Sequence, residues 1–336
     1  MKASLRIAML AMLLFLPLSV VTSFDADAKQ SQAKPKVTYT VKSLKAKKIE
    51  ALRKQYRKAP VAANSPRFAA LVVNAKTGQI LYEKNAGEIR YPASLTKMMT
   101  LYLTFDALKK GKLSMDGTLP VSEKAASQPQ TNIALEEGDR LPVRTAIESV
   151  IVRSANDSAM VLSEALGETS WNFALMMTKK ARALGMKNTV FRNPNGLPDN
   201  GQYTTAYDMA KLGIALRRDF PEYYPMFKLQ SFSYNGITYP GHNRVMEKYE
   251  GADGIKTGYI RASGFNLVTS VKKNGYNLVA VIMGGRTASD RDTAMINLLD
   301  RTFAQLESKQ KTLSKSEFLP LTPELTASKT LNLARK

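Results

Sequence analysis

A serine hydroxyl attacks a carbonyl only if a nearby base takes its proton, and this sequence narrows what that base can be. There is one histidine, His242, and no cysteine. A serine–histidine–aspartate triad would have to be assembled around that single imidazole, which sits in a loop, Gly241-His242-Asn243, ahead of a strand; a structural role suits it better. The same counts exclude His-rich and Cys-based metal sites, thiol chemistry, disulfides and lipid attachment through cysteine, and no cofactor is implied. Lysine is the remaining base. It can serve only when neutral, which requires burial or a second cation to pull its pKa down. On a helix, Ser-x-x-Lys puts hydroxyl and amine on one face. The pattern occurs at Ser31, Ser94, Ser270 and Ser308, so spacing does not choose among them. Context does. Ser31 and Ser308 lie in polar tails, and Ser270 lies in an expected strand, where residues three apart point to opposite faces. Only Ser94-Leu95-Thr96-Lys97 opens an apolar helical stripe, whose N-terminal dipole favours an oxyanion.

Two further patterns complete a known active-site set, Ser-x-Asn and Lys-Thr-Gly. Ser-x-Asn occurs at Ser154-Ala155-Asn156, Ser170-Trp171-Asn172 and Ser233-Tyr234-Asn235; Lys-Thr-Gly occurs at Lys76-Thr77-Gly78 and Lys256-Thr257-Gly258. Lys76 precedes Ser94 and sits in a hairpin turn, where the glycine is only a turn residue. Ser154 lies between two helical stretches, in a loop suited to overhang a site. Lys256 begins a strand whose exposed edge could hold an extended peptide.

The elements that must position these residues are legible in outline. Phe68 to Asn74 and Gln79 to Lys84 flank Ala75-Lys76-Thr77-Gly78 as a hairpin. The stripe Leu95, Met98, Met99, Tyr102, Leu103, Leu108 closes at Lys109-Lys110-Gly111, a cationic last turn with a glycine stop. From Arg144 to Arg217 the pattern is mainly helical, with one helix starting at Asn156 or Asp157 and a capping box at Thr205-Ala206-Tyr207-Asp208. Strands return as Phe227–Tyr234 with Ile237–Tyr239, around Asn235-Gly236, and as Phe265–Val271 with Tyr276–Met283, around Lys272-Lys273-Asn274-Gly275. A last helix from Asp290 to Leu306 presents Met295, Leu298, Leu299, Thr302 and Leu306 on one face. The expected class is α/β: an antiparallel sheet flanked by helices, with an inserted all-helical subdomain over about 112–226.

With these motifs in order, the sequence resembles the serine-type D-alanyl-D-alanine carboxypeptidases, the low-molecular-mass penicillin-binding proteins. The resemblance runs from about Phe68 to Leu306. It rests on Pro92-Ala93-Ser94-Leu95-Thr96-Lys97-Met98, Ser154-Ala155-Asn156-Asp157, Asn193-Pro194-Asn195-Gly196-Leu197, Thr204-Thr205-Ala206-Tyr207-Asp208 and Asp253-Gly254-Ile255-Lys256-Thr257-Gly258-Tyr259. It implies a β-lactamase/DD-peptidase-like catalytic domain over 67–306 that removes the terminal D-alanine from peptidoglycan stem peptides and is acylated by β-lactams. Ser94 would be the nucleophile, Lys97 its base and Ser154 the relay to the leaving amine. Asn156 would hold the substrate amide, and Lys256 would keep Lys97 neutral. The N–H groups of Ser94 and Tyr259, beside Gly258, would form the oxyanion hole. Thr257 and Arg291 would bind the terminal carboxylate, with Arg286 as the weaker alternative. Fast β-lactam hydrolysis is not expected, because no Glu or Asp lies between Glu168 and Asp199 to activate a deacylating water and Ser-Ala-Asn replaces the lactamases' Ser-Asp-Asn. Endopeptidase action on cross-links is the nearest alternative activity.

The ends of the chain bear on location and partners. Lys2 and Arg6, an apolar run from Ile7 to about Val21, and Ala26-Asp27-Ala28 read as a signal peptide over 1–28, too short in its apolar run to span a bilayer, so the expected location is periplasmic or secreted. The formal charge is +21 and stays so without residues 1–28. Much of the excess falls in a basic linker, 29–66, where eleven Lys and Arg between Lys29 and Lys58 face one acid, Glu50. Leu44, Ile49, Leu52 and Tyr56 could line one side of a basic helix able to touch an anionic wall or membrane surface, although a solvated linker is the simpler reading. A second basic tail covers 307–336. Export and the concentration of charge in a tail argue against a nucleic-acid partner; a non-catalytic, basic wall-binding protein is the remaining alternative.

Overall fold

The computed structural model describes residues 67–316 and 330–331. The signal-like segment 1–28 and the basic linker 29–66 lie outside the described residues. β1 (Ala69–Asn74) and β2 (Ile80–Lys84) form the opening hairpin, and Lys76-Thr77-Gly78 is its turn, with the N–H groups of Lys76 and Thr77 bonded to the Asn74 side chain. A 3-10 turn over Ala93–Thr96 runs directly into α1 (Lys97–Lys109). The insert follows with β3 (Thr118–Pro120), α2 (Glu123–Ala126), β4 (Arg140–Pro142), α3 (Val143–Val152), α4 (Asn156–Gly167) and α5 (Ser170–Ala183). After α6 (Ala206–Asp219) come a second 3-10 turn (Tyr224–Lys228), the ribbon β5 (Ser231–Tyr234) and β6 (Ile237–Pro240), and the single turn α7 (Val245–Lys248). Three long strands, β7 (Ala252–Ile260), β8 (Gly264–Lys273) and β9 (Tyr276–Gly285), lead to α8 (Ala288–Ser316).

The main sheet has the order β2-β1-β9-β8-β7, with every neighbouring pair antiparallel. Its first strands therefore close onto its last, Ala69 opposite Met283 and Asn74 opposite Leu278. Strand alternation feeds two cores. Leu71 and Val73 of β1 and Val279, Val281 and Met283 of β9 pack with α1 and α6; Ala70, Val72, Leu278, Ala280 and Ile282 pack on the other face with Met295, Leu299, Phe303 and Leu306 of α8. Both faces are covered, which is why these strands are apolar almost throughout. The fold is α/β, an antiparallel sheet flanked by helices, as expected.

Several details differ from the sequence reading. Ser94 lies in the 3-10 turn, and the α-helix proper begins at Lys97. The stretch from Phe227 is not strand: it belongs to the 3-10 turn Tyr224–Lys228, with Pro225 near its start, whose Phe227 packs edge-on against Phe105 and is buried, and pairing begins only at Ser231. The β5–β6 ribbon stands apart from the main sheet. Within the insert the helices are joined by a short β3–β4 ladder, and α6 belongs to the sheet's core as much as to the insert. Lys256 sits in mid-strand, four residues into β7. α8 continues past Leu306 to Ser316, and Thr330 pairs with Gln79 while Leu331 is buried against the first core, so part of the 307–336 tail returns to the opening hairpin.

Candidate active site

The site is built where the 3-10 turn, the insert and β7 meet. Asn266 of β8 donates to the carbonyls of Tyr91 and Pro92 (3.1 and 3.2 Å) and so ties the turn to the sheet. Gly258 allows the other contact. A Cβ there would lie 3.0 Å from the backbone nitrogens of both Ser94 and Leu95, so only glycine lets β7 run this close to the turn.

Lys97 is fully buried and its Nζ has three acceptors within reach: Ser94 Oγ at 3.1 Å, Asn156 Oδ1 at 2.7 Å and the Asn195 carbonyl at 2.5 Å. Burial pushes its pKa well below the usual lysine value, the Lys256 charge pushes further, and Asp157 opposes both. A neutral amine has two hydrogens and one lone pair. In that form, donation along the two short contacts would leave the lone pair for the longer one, to the Ser94 hydroxyl. The acceptors are held for this. Asn156 Nδ2 donates to the Pro129 carbonyl (2.8 Å), which turns its oxygen toward Lys97. The Asn195 carbonyl is carried by a loop in which Thr100 Oγ1 donates to the Pro194 carbonyl (2.6 Å) and Asn195 Nδ2 donates to Gln128 Oε1 (2.7 Å). Gly196, at φ +85°, seals the loop against the Ala93–Thr96 turn: a Cβ would fall 1.9 Å from the Ala93 carbonyl oxygen.

Ser154 has a left-handed backbone (φ +63°), is 5% exposed, and no described group hydrogen-bonds its Oγ. A buried, unpaired hydroxyl on strained backbone costs stability and points to a partner supplied by a ligand. Lys256 is buried, donates to the Thr257 carbonyl (3.1 Å), and has its pKa lowered to about 7, first by burial and then by the Arg291 charge. Arg291 is buried as well. Its Nε and Nη2 hold Asp292 Oδ1 at 2.9 and 2.7 Å and its Nη1 reaches the Asn266 carbonyl at 3.3 Å. Arg286 is instead 90% exposed and paired with Asp290 on the surface.

These groups surround one cavity of about 740 Å³. Of the residues singled out by sequence, Ser94, Ser154, Asn156, Thr257, Gly258, Tyr259 and Arg291 line it, while Lys97 and Lys256 stand behind the wall. Its size is that of sites for ligands larger than a single alanine. The other candidates are elsewhere: Ser270 is buried in the sheet, Ser233 is in the β5–β6 ribbon, Ser170 opens α5, and Ser31 lies outside the described residues. His242 lines the cavity, with no described hydrogen bond to Ser94. Sequence reasoning passed over the Asn195 carbonyl, Asn266, and the wall residues Gln130, Thr131, Arg244 and Lys248. The Asn193–Leu197 motif was the available signal for the first; the others carry none.

Residues 55–287 match a family model described as D-alanyl-D-alanine carboxypeptidase. Among curated relatives, the chain is 35% identical over 245 residues to the D-alanyl-D-alanine carboxypeptidase DacF of Bacillus subtilis, covering 71% of this chain and 63% of that protein. It is 34% identical to DacA of Escherichia coli K12, covering 71% of this chain and 61% of that protein. The chain thus spans less than two thirds of the length of these relatives. Among solved structures, penicillin binding protein 5 from Haemophilus influenzae superposes with a TM-score of 0.68 at 33% identity, over 74% of this chain and 72% of that one. Penicillin-binding protein D2 from Listeria monocytogenes in its cefotaxime-bound form gives a TM-score of 0.65 at 26% identity, over 73% and 99% of the two chains.

Proposed function

The chain belongs to the D-alanyl-D-alanine carboxypeptidase family, and from that membership we propose that it removes the terminal D-alanine of peptidoglycan stem peptides through an acyl-enzyme on Ser94. The observation that carries the reading is the Lys97 amine, buried, with its pKa pushed down and its Nζ 3.1 Å from the Ser94 hydroxyl and closer still to Asn156 Oδ1 and the Asn195 carbonyl. Ser94 Oγ bonds to the penultimate carbonyl carbon as its proton passes to Lys97. The oxyanion is met by the N–H groups of Ser94 and Tyr259, each worth about 3 kcal/mol in such sites. The C–N bond then breaks, and the proton reaches the leaving amine through Ser154, whose unpaired hydroxyl suits a relay. Water, giving its proton to Lys97, takes the acyl group and frees Ser94. Asn156 keeps one N–H for the substrate amide, Thr257 and Arg291 receive the terminal carboxylate, and Lys256 holds Lys97 neutral. A β-lactam presenting its carbonyl at the same place acylates Ser94.

The enzyme acts outside the cytoplasm on this reading, which the export-like segment 1–28 supports; among the described residues no helix is long and apolar enough to cross a membrane. The decisive experiment incubates the protein with a stem pentapeptide and follows mass. The expected result is loss of one alanine by the wild type, none by Ser94→Ala, and covalent labelling by a fluorescent penicillin only when Ser94 is present. Cleavage of a cross-linked dimer with the pentapeptide left intact would reassign the activity to an endopeptidase.

A further inference from the structure

β7 does not run straight into the site. Ala252 pairs with Val271 and Ile255 with Thr269, so β7 has one residue more than β8 here and Asp253 and Gly254 together oppose Ser270. Such a bulge bends its strand and re-aims the side chains beyond it. Because side chains alternate with period two, the extra residue also decides on which face Lys256 emerges.

The bulge is held by a mostly buried polar cluster that the proposed reaction does not use. Arg217, in the last turn of α6, donates from Nη1 to Asp253 Oδ1 at 2.9 Å and from Nη2 to Asp253 Oδ2 at 2.5 Å. Nη1 also reaches Ser270 Oγ at 2.5 Å, and the Tyr224 hydroxyl donates to the same oxygen at 2.8 Å. The Ser270 hydrogen is thereby directed at Asp253 Oδ1. Thr269 Oγ1 holds the Gly254 carbonyl at 2.6 Å, and the Arg217 guanidinium lies 4.7 Å from the centre of the Tyr224 ring. A buried ion pair is weak evidence for stability, since desolvation offsets the attraction. Its information is geometric: a planar fork fixes the carboxylate in two directions, which a lysine cannot do.

We propose that Arg217 and Asp253 are positioning residues, their forked pair, completed by Ser270 and Tyr224, fixing the bulge in β7 that aims Lys256 toward Lys97 behind the cavity wall. The inference rests on the reading of Lys97 as base. Loosening the fork lets the Lys256 ammonium retreat, Lys97 becomes harder to deprotonate, and the acid limb of acylation moves to higher pH. The other titratable groups near the two lysines, Arg291 on α8, His242 before α7 and Asp157 on α4, are unaltered by the substitutions.

The test is the rate of acylation by a fluorescent penicillin from about pH 5 to pH 10, with thermal midpoints, for wild type, Arg217→Lys and Ser270→Ala. Arg217→Lys is expected to move the acid limb up by about one unit, to react about tenfold more slowly at neutral pH, and to recover in alkali; Ser270→Ala should move it less in the same direction. A merely structural cluster would lower the midpoint and leave the limb in place, which overturns the proposal. If Arg217→Lys does not fold, Ser270→Ala decides by the same criterion. If the wild type fails to react, the functional reading falls and the positioning role is judged on ¹³Cε-lysine NMR titrations of Lys97 and Lys256 in wild type and variant. Unchanged titrations would then refute it.

Discussion

At the scale of single residues, burying two lysines in the candidate site costs stability. Lys256 has a folded pKa near 7 against about 10.4 in an unfolded chain, so between those values the unfolded state binds the extra proton and folding becomes more favourable as pH rises. The penalty is full below pH 7 and gone above the unfolded value. Lys256→Met is therefore expected to stabilise the protein at pH 7 by about 1–4 kcal/mol, with the gain shrinking as the pH nears 10. Acylation should fall at the same time, because Lys97 loses the like charge that helps keep it neutral. Urea unfolding at the two pH values, beside penicillin labelling, checks both signs; a destabilised variant at pH 7 would mean that Lys256 is compensated by contacts beyond its bond to the Thr257 carbonyl. Ser94, Lys97 and Lys256 were singled out by residue type, spacing and context, and the structure brings the Lys97 amine within 3.1 Å of the Ser94 hydroxyl. The Asn195 carbonyl was not, because a backbone oxygen has no residue signature and only the folded loop brings it to the amine.

At the scale of elements, the Ala93–Thr96 turn and the Asn193–Leu197 loop are packed as one unit, clasped by Gly196. Gly196→Ala puts a methyl onto the Ala93 carbonyl at an unfavourable φ, and is expected to cost at least about 2 kcal/mol and to slow acylation of the folded fraction. Gly138 provides the control, having a similar φ of +87° with nothing within 4 Å of its Cβ position. Gly138→Ala should show the strain alone, with labelling unchanged in rate. Equal labelling by the two variants would show that the loop does not position Ser94. Helices and hairpins with explicit end signals were legible, such as the Thr205 cap, whose Oγ1 receives the Asp208 N–H at 3.1 Å. The stretch from Phe227 misled because apolar, aromatic runs suit a strand and a buried turn equally; Pro225 and the Phe105 and Tyr224 rings decided for the turn.

At the scale of the whole molecule, closure of β1 onto β9 joins the two ends of the catalytic fold, and the returning segment at Thr330–Leu331 adds to that closure. Leu331 is 6% exposed and its N–H bonds to the Gly78 carbonyl at 2.7 Å. Leu331→Ala should cost about 2 kcal/mol as a large-to-small change in a core, with no change in acylation by the folded protein. Thermal melts and labelling measured together check this, and an unaltered midpoint would show that the segment contributes nothing to the fold.

What the sequence determined by itself is chemistry and periodicity. One histidine and no cysteine made lysine the expected base, three short motifs came in order, and strand and helix periods were strong enough to specify an α/β fold. Only tertiary structure decided which acceptors surround the Lys97 amine, that Arg291 and not Arg286 faces the cavity, and that Ser270, a serine with the same spacing as Ser94, lies buried beside Arg217 and Asp253. The reason is physical. Local pattern reports which way a side chain faces along its own element, whereas hydrogen-bond partners and lowered pKa values depend on groups brought together from distant parts of the chain.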